Sequence, residues 1–133
     1  DLISKNKKSD SLLRTIDILP TILELCKIKI PLDLIGKSFS SYLLTSNEKL
    51  SDSSFTFSET GGLQGPFPSP MEPNVFCIKS SRHKLIYFMS SNKWELFDLK
   101  NDPNEIINIY DTGLELQEKL KEHLLSWINR EIS

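Results

Sequence analysis

The stretch VFCIKSSRHKLIYFMSSNKWELFDL, residues 75–99, decides the fold. It holds three short runs of apolar, β-branched and aromatic residues: Val75–Lys79, Lys84–Met89 and Lys93–Leu99. Such composition favours strands. The connections between them, Ser80-Ser81-Arg82-His83 and Ser90-Ser91-Asn92, have hairpin length, so the runs predict an antiparallel meander. Upstream, Phe55-Thr56-Phe57-Ser58-Glu59 alternates apolar and polar and predicts a fourth strand. In the last run, Leu96 and Asp98 fall on one face and Phe97 and Leu99 on the other.

Working outward, Asn101-Asp102-Pro103-Asn104 is a strong turn signal that stops the last strand. Asp98, Asp102 and Glu105 read as turn and cap residues rather than metal ligands. A helix is expected from about residue 112 to 130, with Leu116, Leu120, Leu124, Trp127 and Ile128 on the face that packs the sheet. Toward the N-terminus, Asp17 reads as an N-cap with Pro20 in the first helical turn. Ile18, Leu19, Ile22, Leu23 and Cys26 follow at helical spacing, giving a helix over about 17–26. It is apolar around much of its girth, which predicts burial between two layers. Ser41–Leu44 has the length of one helical turn. Residues 45–54 are polar and read as a surface loop, and Thr60–Asn74 as a Gly/Pro-rich one. The expected class is α+β: a four-stranded antiparallel sheet packed by a long C-terminal helix. Residues 1–53 form the end of a larger region and 54–133 the sheet subdomain.

The bulk properties bound the function. With 133 residues, 38% of them hydrophobic, the chain can bury one modest core. The net charge of −2 argues against nucleic acid as a partner, because that needs a surplus of Lys and Arg on one face. The most basic stretch, Lys79–Lys84, is short and reads as a solvated strand end and turn. No run approaches the ~18 apolar residues of a membrane span. Residues 1–10 lack the apolar centre of a signal peptide, although a signal upstream of a fragment would not be visible. Cys26 and Cys77 both read as small buried hydrophobes, and two cysteines make no disulfide framework.

Three phrases, in order, resemble the sulfatase family of the alkaline-phosphatase-like superfamily, in its C-terminal region. Thr15-Ile16-Asp17-Ile18-Leu19-Pro20-Thr21-Ile22-Leu23-Glu24-Leu25 is similar to a helix read as D-[LI]-x-P-T-[LI]-L-x-L, with Lys27 where a glycine is common. Leu34-Ile35-Gly36-Lys37-Ser38-Phe39 resembles a D-G-x-S-L segment, with Ile35 in place of the Asp. His83-Lys84-Leu85-Ile86-Tyr87, Trp94-Glu95-Leu96-Phe97-Asp98-Leu99 and Asn101-Asp102-Pro103-Asn104-Glu105 with Asn108-Ile109 resemble a K-L-I … E-L-Y-D-L-x-x-D-P-x-E-x-x-N-L phrase. The resemblance runs from about residue 12 to the end. It implies a parent hydrolase of sulfuric esters that uses calcium and a formylglycine made from a C/S-x-P-x-R motif. It also implies, as partner, an N-terminal catalytic region whose edge the 17–26 helix would join.

The chemistry itself is not in these residues. Cys77-Ile78-Lys79-Ser80-Ser81-Arg82 imitates the nucleophile motif, but its Arg lies one position too far and its Pro is absent. Its predicted strand also contrasts with the family's helix N-terminus. His83 and His123 are the only histidines and read as structural or merely exposed. No catalytic and no metal-binding residue is therefore assigned. Glu59, at the mouth of the Thr60–Asn74 loop, and Arg82 are the candidates for lining a substrate pocket. Two alternatives stay open: a stand-alone interaction module derived from a sulfatase, and a part of a related phosphoesterase or phosphotransferase. A chain separated from its parent would expose the 17–26 helix and could self-associate through it.

Overall fold

The structure is a computed structural model that describes residues 3, 8–9, 11–45, 55–60, 74–113 and 115–131. The chain forms two compact units, Asp1–Ser54 and Phe55–Ser133.

In the second unit, β1 (Thr56–Thr60), β2 (Val75–Lys79), β3 (His83–Phe88) and β4 (Lys93–Asp98) form one antiparallel sheet in the order β1-β2-β3-β4. This is the expected meander. The register aligns Phe57, Ile78, Leu85 and Leu96 in one cross-strand row and Glu59, Phe76, Tyr87 and Trp94 in the next. Both rows lie on the same face, because neighbouring rows of one face are two residues apart. Helix α3 (Glu115–Glu131) supplies Leu120, Leu124 and Ile128 to the core that Phe76, Ile78, Leu85 and Leu96 form. Leu116 and Trp127 pack against it, as the stripe requires. Burying each such side chain stabilises the fold by about 1.5–3 kcal/mol. Phe57 stacks on Trp127 with ring centroids 5.2 Å apart, which ties β1 to the end of α3.

Residues 108–110 cover the outer edge of β4. The Ile109 amide donates to the Leu96 carbonyl at 2.8 Å, and the Asn108 side-chain oxygen accepts from the Leu96 amide at 2.9 Å. This protection of an edge strand was not visible as a strand signal. Helix α3 starts at Glu115 rather than near 112 because Asp111 (φ 67) and Gly113 (φ 78) turn the backbone left-handed just before it. Met89, expected in a strand, opens a 3-10 turn (Met89–Ser91) that Asn92 closes at φ 50.

In the first unit, a 3-10 turn (Thr15–Asp17) runs into α1 (Ile18–Leu25), and α2 (Ser40–Leu44) follows. Helix α1 ends in a Schellman arrangement. The Ile28 amide donates to the Leu23 carbonyl at 2.8 Å and the Lys27 amide to the Glu24 carbonyl at 2.9 Å. Lys27 takes the left-handed position with φ 57, the place where a glycine is favoured.

Asp17 does not cap α1 with its side chain. The helical run begins one turn earlier, so the carboxylate reaches back to the Arg14 amide at 3.0 Å. Cys26 is exposed, not buried, because the stripe it shares is open along Ile18, Leu19 and Ile22. Cys77 is half-buried, and burial pushes its thiol above the ordinary value.

Candidate functional site

The densest polar constellation of the first unit surrounds Asp17. Its carboxylate accepts from the Arg14 amide, from both Nε and Nη2 of Arg14 at 3.2 and 2.7 Å, and from the Lys37 amide at 2.9 Å. Burial pushes the carboxyl up, but the Arg14 and Lys37 hydrogen bonds outweigh it and hold the group below its usual value. One turn on, the Thr21 hydroxyl donates to the Asp17 carbonyl at 2.6 Å and accepts from the Phe39 amide at 3.1 Å. Ser40 donates to Glu24, and hydrogen bonds from Ser38 and Ser40 keep that carboxylate ionised below its usual range. Residues 37–40 are thus laid along α1 by side chains spaced about one turn apart, Asp17, Thr21 and Glu24.

Gly36 makes that approach possible. A Cβ there would land inside the Ile16 carbonyl oxygen, 2.7 Å from its carbon and 3.2 Å from the Asp17 nitrogen. The sequence contained this signal as a D-x-x-x-T spacing followed by G-K-S. Its role as a clamp rests on a close backbone approach, which leaves no periodic trace in sequence.

The second unit has its own polar cluster at the β2–β3 hairpin. Arg82 forms a two-pronged pair with Asp98, Nε–Oδ1 at 3.1 Å and Nη2–Oδ2 at 2.7 Å. Asp98 also accepts from the Lys100 amide and the Asn101 side chain. These partners, Arg82 first, hold the Asp98 carboxyl far below the carboxylate range. His83, beside them, is pushed below its ordinary pKa chiefly by burial. His123 is exposed on α3, its ring 4.8 Å from that of Phe55. Asp102 caps the amides of Ile106 and Ile107, and Glu105 pairs with Lys84 at 2.6 Å. Asp98 and Asp102 therefore have partners within the turn, whereas Glu105 pairs with a lysine of β3.

The two pocket candidates lie at opposite ends of the sheet. Glu59 is exposed near the end of β1, opposite Phe76. Arg82 lies in the hairpin beyond Lys79. From the level of Phe76 to Ser80 is four residues of β2, about 13 Å at ~3.3 Å per residue. The structure does not bring Glu59 and Arg82 together. Residues 61–73 of the Thr60–Asn74 loop lie outside the described residues. Among the described residues no group of three His, Cys, Asp or Glu side chains could hold a metal. Among the described residues no donor set fits a calcium ion, and in the sequence no Cys or Ser stands in a C/S-x-P-x-R setting for a formylglycine. No helix of the described residues is long and apolar enough to cross a membrane.

A four-stranded meander closed by a long helix, carrying the third phrase and preceded in the chain by the first two, defines the C-terminal region of an alkaline-phosphatase-like sulfatase. The chain belongs to the N-sulphoglucosamine sulphohydrolase C-terminal family, whose model matches residues 1–130. It is 29% identical over 130 residues to arylsulfatase K of Rattus norvegicus, covering 96% of this chain and 23% of that protein. It is 27% identical over 124 residues to an N-acetylglucosamine-6-O-sulfatase of Bacteroides thetaiotaomicron, covering 90% of this chain and 21% of that protein. A solved 2-O GAG sulfatase superposes with a TM-score of 0.74 at 27% identity, over 98% of this chain and 28% of that one. The chain therefore spans less than a quarter of the length of these curated relatives.

Proposed function

We propose that this chain is the C-terminal portion of a sulfuric ester hydrolase, that it completes the fold of a catalytic region, and that it has no turnover alone. One observation carries the reading: burial is inverted in the first unit. Its buried residues, among those described, are Asp17, Pro20, Thr21 and Ser40. Leu13, Ile16, Ile18, Leu19, Ile22, Ile28, Leu32 and Ile35 are exposed, with Ile18, Leu19 and Ile22 each about half accessible. Among the described residues of this unit no Leu, Ile or Val is fully buried, while its polar network is. Large contiguous apolar patches on a protein surface mark contact sites. Residues 1–53 thus act as the end of the catalytic region, and the α1 stripe is the side that this region covers.

Substrate, nucleophile and metal belong to that region. Calcium and formylglycine would be held there, and no step of their chemistry runs through the residues of this chain. The relatives act on sulfated sugars or carry the arylsulfatase name, which supports a sulfate ester as the substrate of the whole protein. Glu59 and the Thr60–Asn74 loop are proposed to wall its pocket. Arg82 is the second candidate, and an anionic substrate there would have to compete with Asp98.

The test is direct. The isolated chain should bind an apolar-surface dye, self-associate with rising concentration, and leave an aryl sulfate intact. Fusion to the upstream region should abolish dye binding. A monodisperse chain that excludes the dye would favour the stand-alone module and end this reading. In the fused enzyme, Glu59→Gln should change KM for the sulfate ester, and an unchanged KM would remove Glu59 from the pocket.

A further inference from the structure

Unit two carries an apolar feature that its fold does not use. Ile106 and Ile107 are 76% and 63% exposed, side by side in the turn that follows β4. Looseness does not explain them, because the segment is fastened at both ends. One Asp102 carboxylate oxygen accepts from both of their amides, each at 2.8 Å. The Glu105 amide donates to the Asp102 carbonyl at 3.2 Å. Glu105 holds a left-handed backbone, φ 55, a conformation that non-glycine residues seldom adopt. Its carboxylate is anchored on Lys84 of β3. Downstream, Asn108 and Ile109 are bonded to the edge of β4. The result is a stiff knuckle that presents two β-branched side chains, which have little rotamer freedom left to lose on contact.

We propose that this knuckle is a second contact surface for the catalytic region of the same polypeptide, separate from the α1 stripe. The inference rests on the reading above and names a further part of that partner's footprint. Two observations select this occupant. First, the matched stretch makes up only 23% and 21% of the curated relatives, so most of such a protein is available to cover it. Second, Lys84 belongs to the cross-strand row of Thr56, Lys79 and Phe97, on the sheet face opposite α3. That face also carries Val75, Cys77, Ile86 and Phe88, all half-buried, and the core that α3 completes includes none of them. A rigid apolar pair anchored beside a half-apolar sheet face fits a broad protein surface rather than a small anion.

Carbene footprinting of the isolated chain and of the polypeptide with its upstream catalytic region tests this, read at Ile106–Ile107 and at Ile18–Ile22. Labelling at Ile106 and Ile107 should fall several-fold in the longer polypeptide and stay low on dilution. Ile106→Asp should leave the melting of the isolated chain unchanged and lower that of the longer protein. Protection of Ile18–Ile22 alone would overturn this inference and leave the proposed function standing. Protection at neither place would overturn both. Protection that disappears on dilution would assign the knuckle to a second copy of the chain and refute the occupant named here.

Discussion

Replacing Gly36 with alanine should open the clamp between residues 37–40 and α1. The added Cβ meets backbone atoms of Ile16 and Asp17 rather than a flexible side chain, so the Gly36–Phe39 segment must move away. Two hydrogen bonds depend on its position: Lys37 amide to the Asp17 carboxylate at 2.9 Å, and Phe39 amide to the Thr21 hydroxyl at 3.1 Å. A hydrogen bond to a charged group contributes about 1.5–3 kcal/mol and a neutral one about 0.5–1.5 kcal/mol. Their joint loss is about 2–4 kcal/mol, because partial relaxation will retain some of the weaker bond. Hydrogen exchange reads this locally, where a global melt of a two-unit chain would not. The amides of Lys37 and Phe39 should exchange at least tenfold faster in Gly36→Ala, since about 1.4 kcal/mol is tenfold. The core amides of Leu85 and Leu96 should be unaffected. Unchanged protection at Lys37 and Phe39 would refute the clamp.

The remaining expectations concern both units. Lys27→Gly should stabilise the end of α1 by about 0.5–1 kcal/mol, because it relieves a left-handed side-chain clash at some cost in unfolded-state entropy; slower exchange of the Ile28 amide checks it. Leu124→Ala, at a fully buried position, should destabilise the sheet unit by about 2–5 kcal/mol in urea unfolding. His83 has a folded pKa below its unfolded value of about 6.5, so the neutral form is favoured by folding. Its contribution is fully present above about pH 6.5 and is lost as pH falls through the lowered folded value. The urea midpoint should therefore drop between pH 7.5 and 5.5, and His83→Gln should flatten that part of the decline.

The sheet and α3 were legible in the sequence because their signals are periodic and local. Three runs with hairpin-length connections leave a meander as the simple pairing, and Leu116, Leu120, Leu124 and Ile128 mark one helical face whatever they pack against. The first unit was legible only in part. Periodicity shows that Ile18, Leu19, Ile22 and Cys26 share a stripe but not what covers it, so the expectation of a buried Cys26 fails. Asp17 fails as the cap of α1 because a capping residue looks the same one turn before or after the true start. Gly36 stood out only through a resemblance, since a close backbone approach leaves no periodic trace. Ile106 and Ile107 gave no signal at all: an exposed apolar pair in a turn is indistinguishable in sequence from a buried one.

The central claim is that these residues complete a sulfatase rather than act alone. Sequencing the transcript upstream of Asp1 tests it most directly. The account predicts an uninterrupted reading frame that encodes an Asp-Asp pair and a C/S-x-P-x-R motif. An in-frame stop codon immediately before Asp1, or an initiating Met there with translation starting at that point, would contradict it.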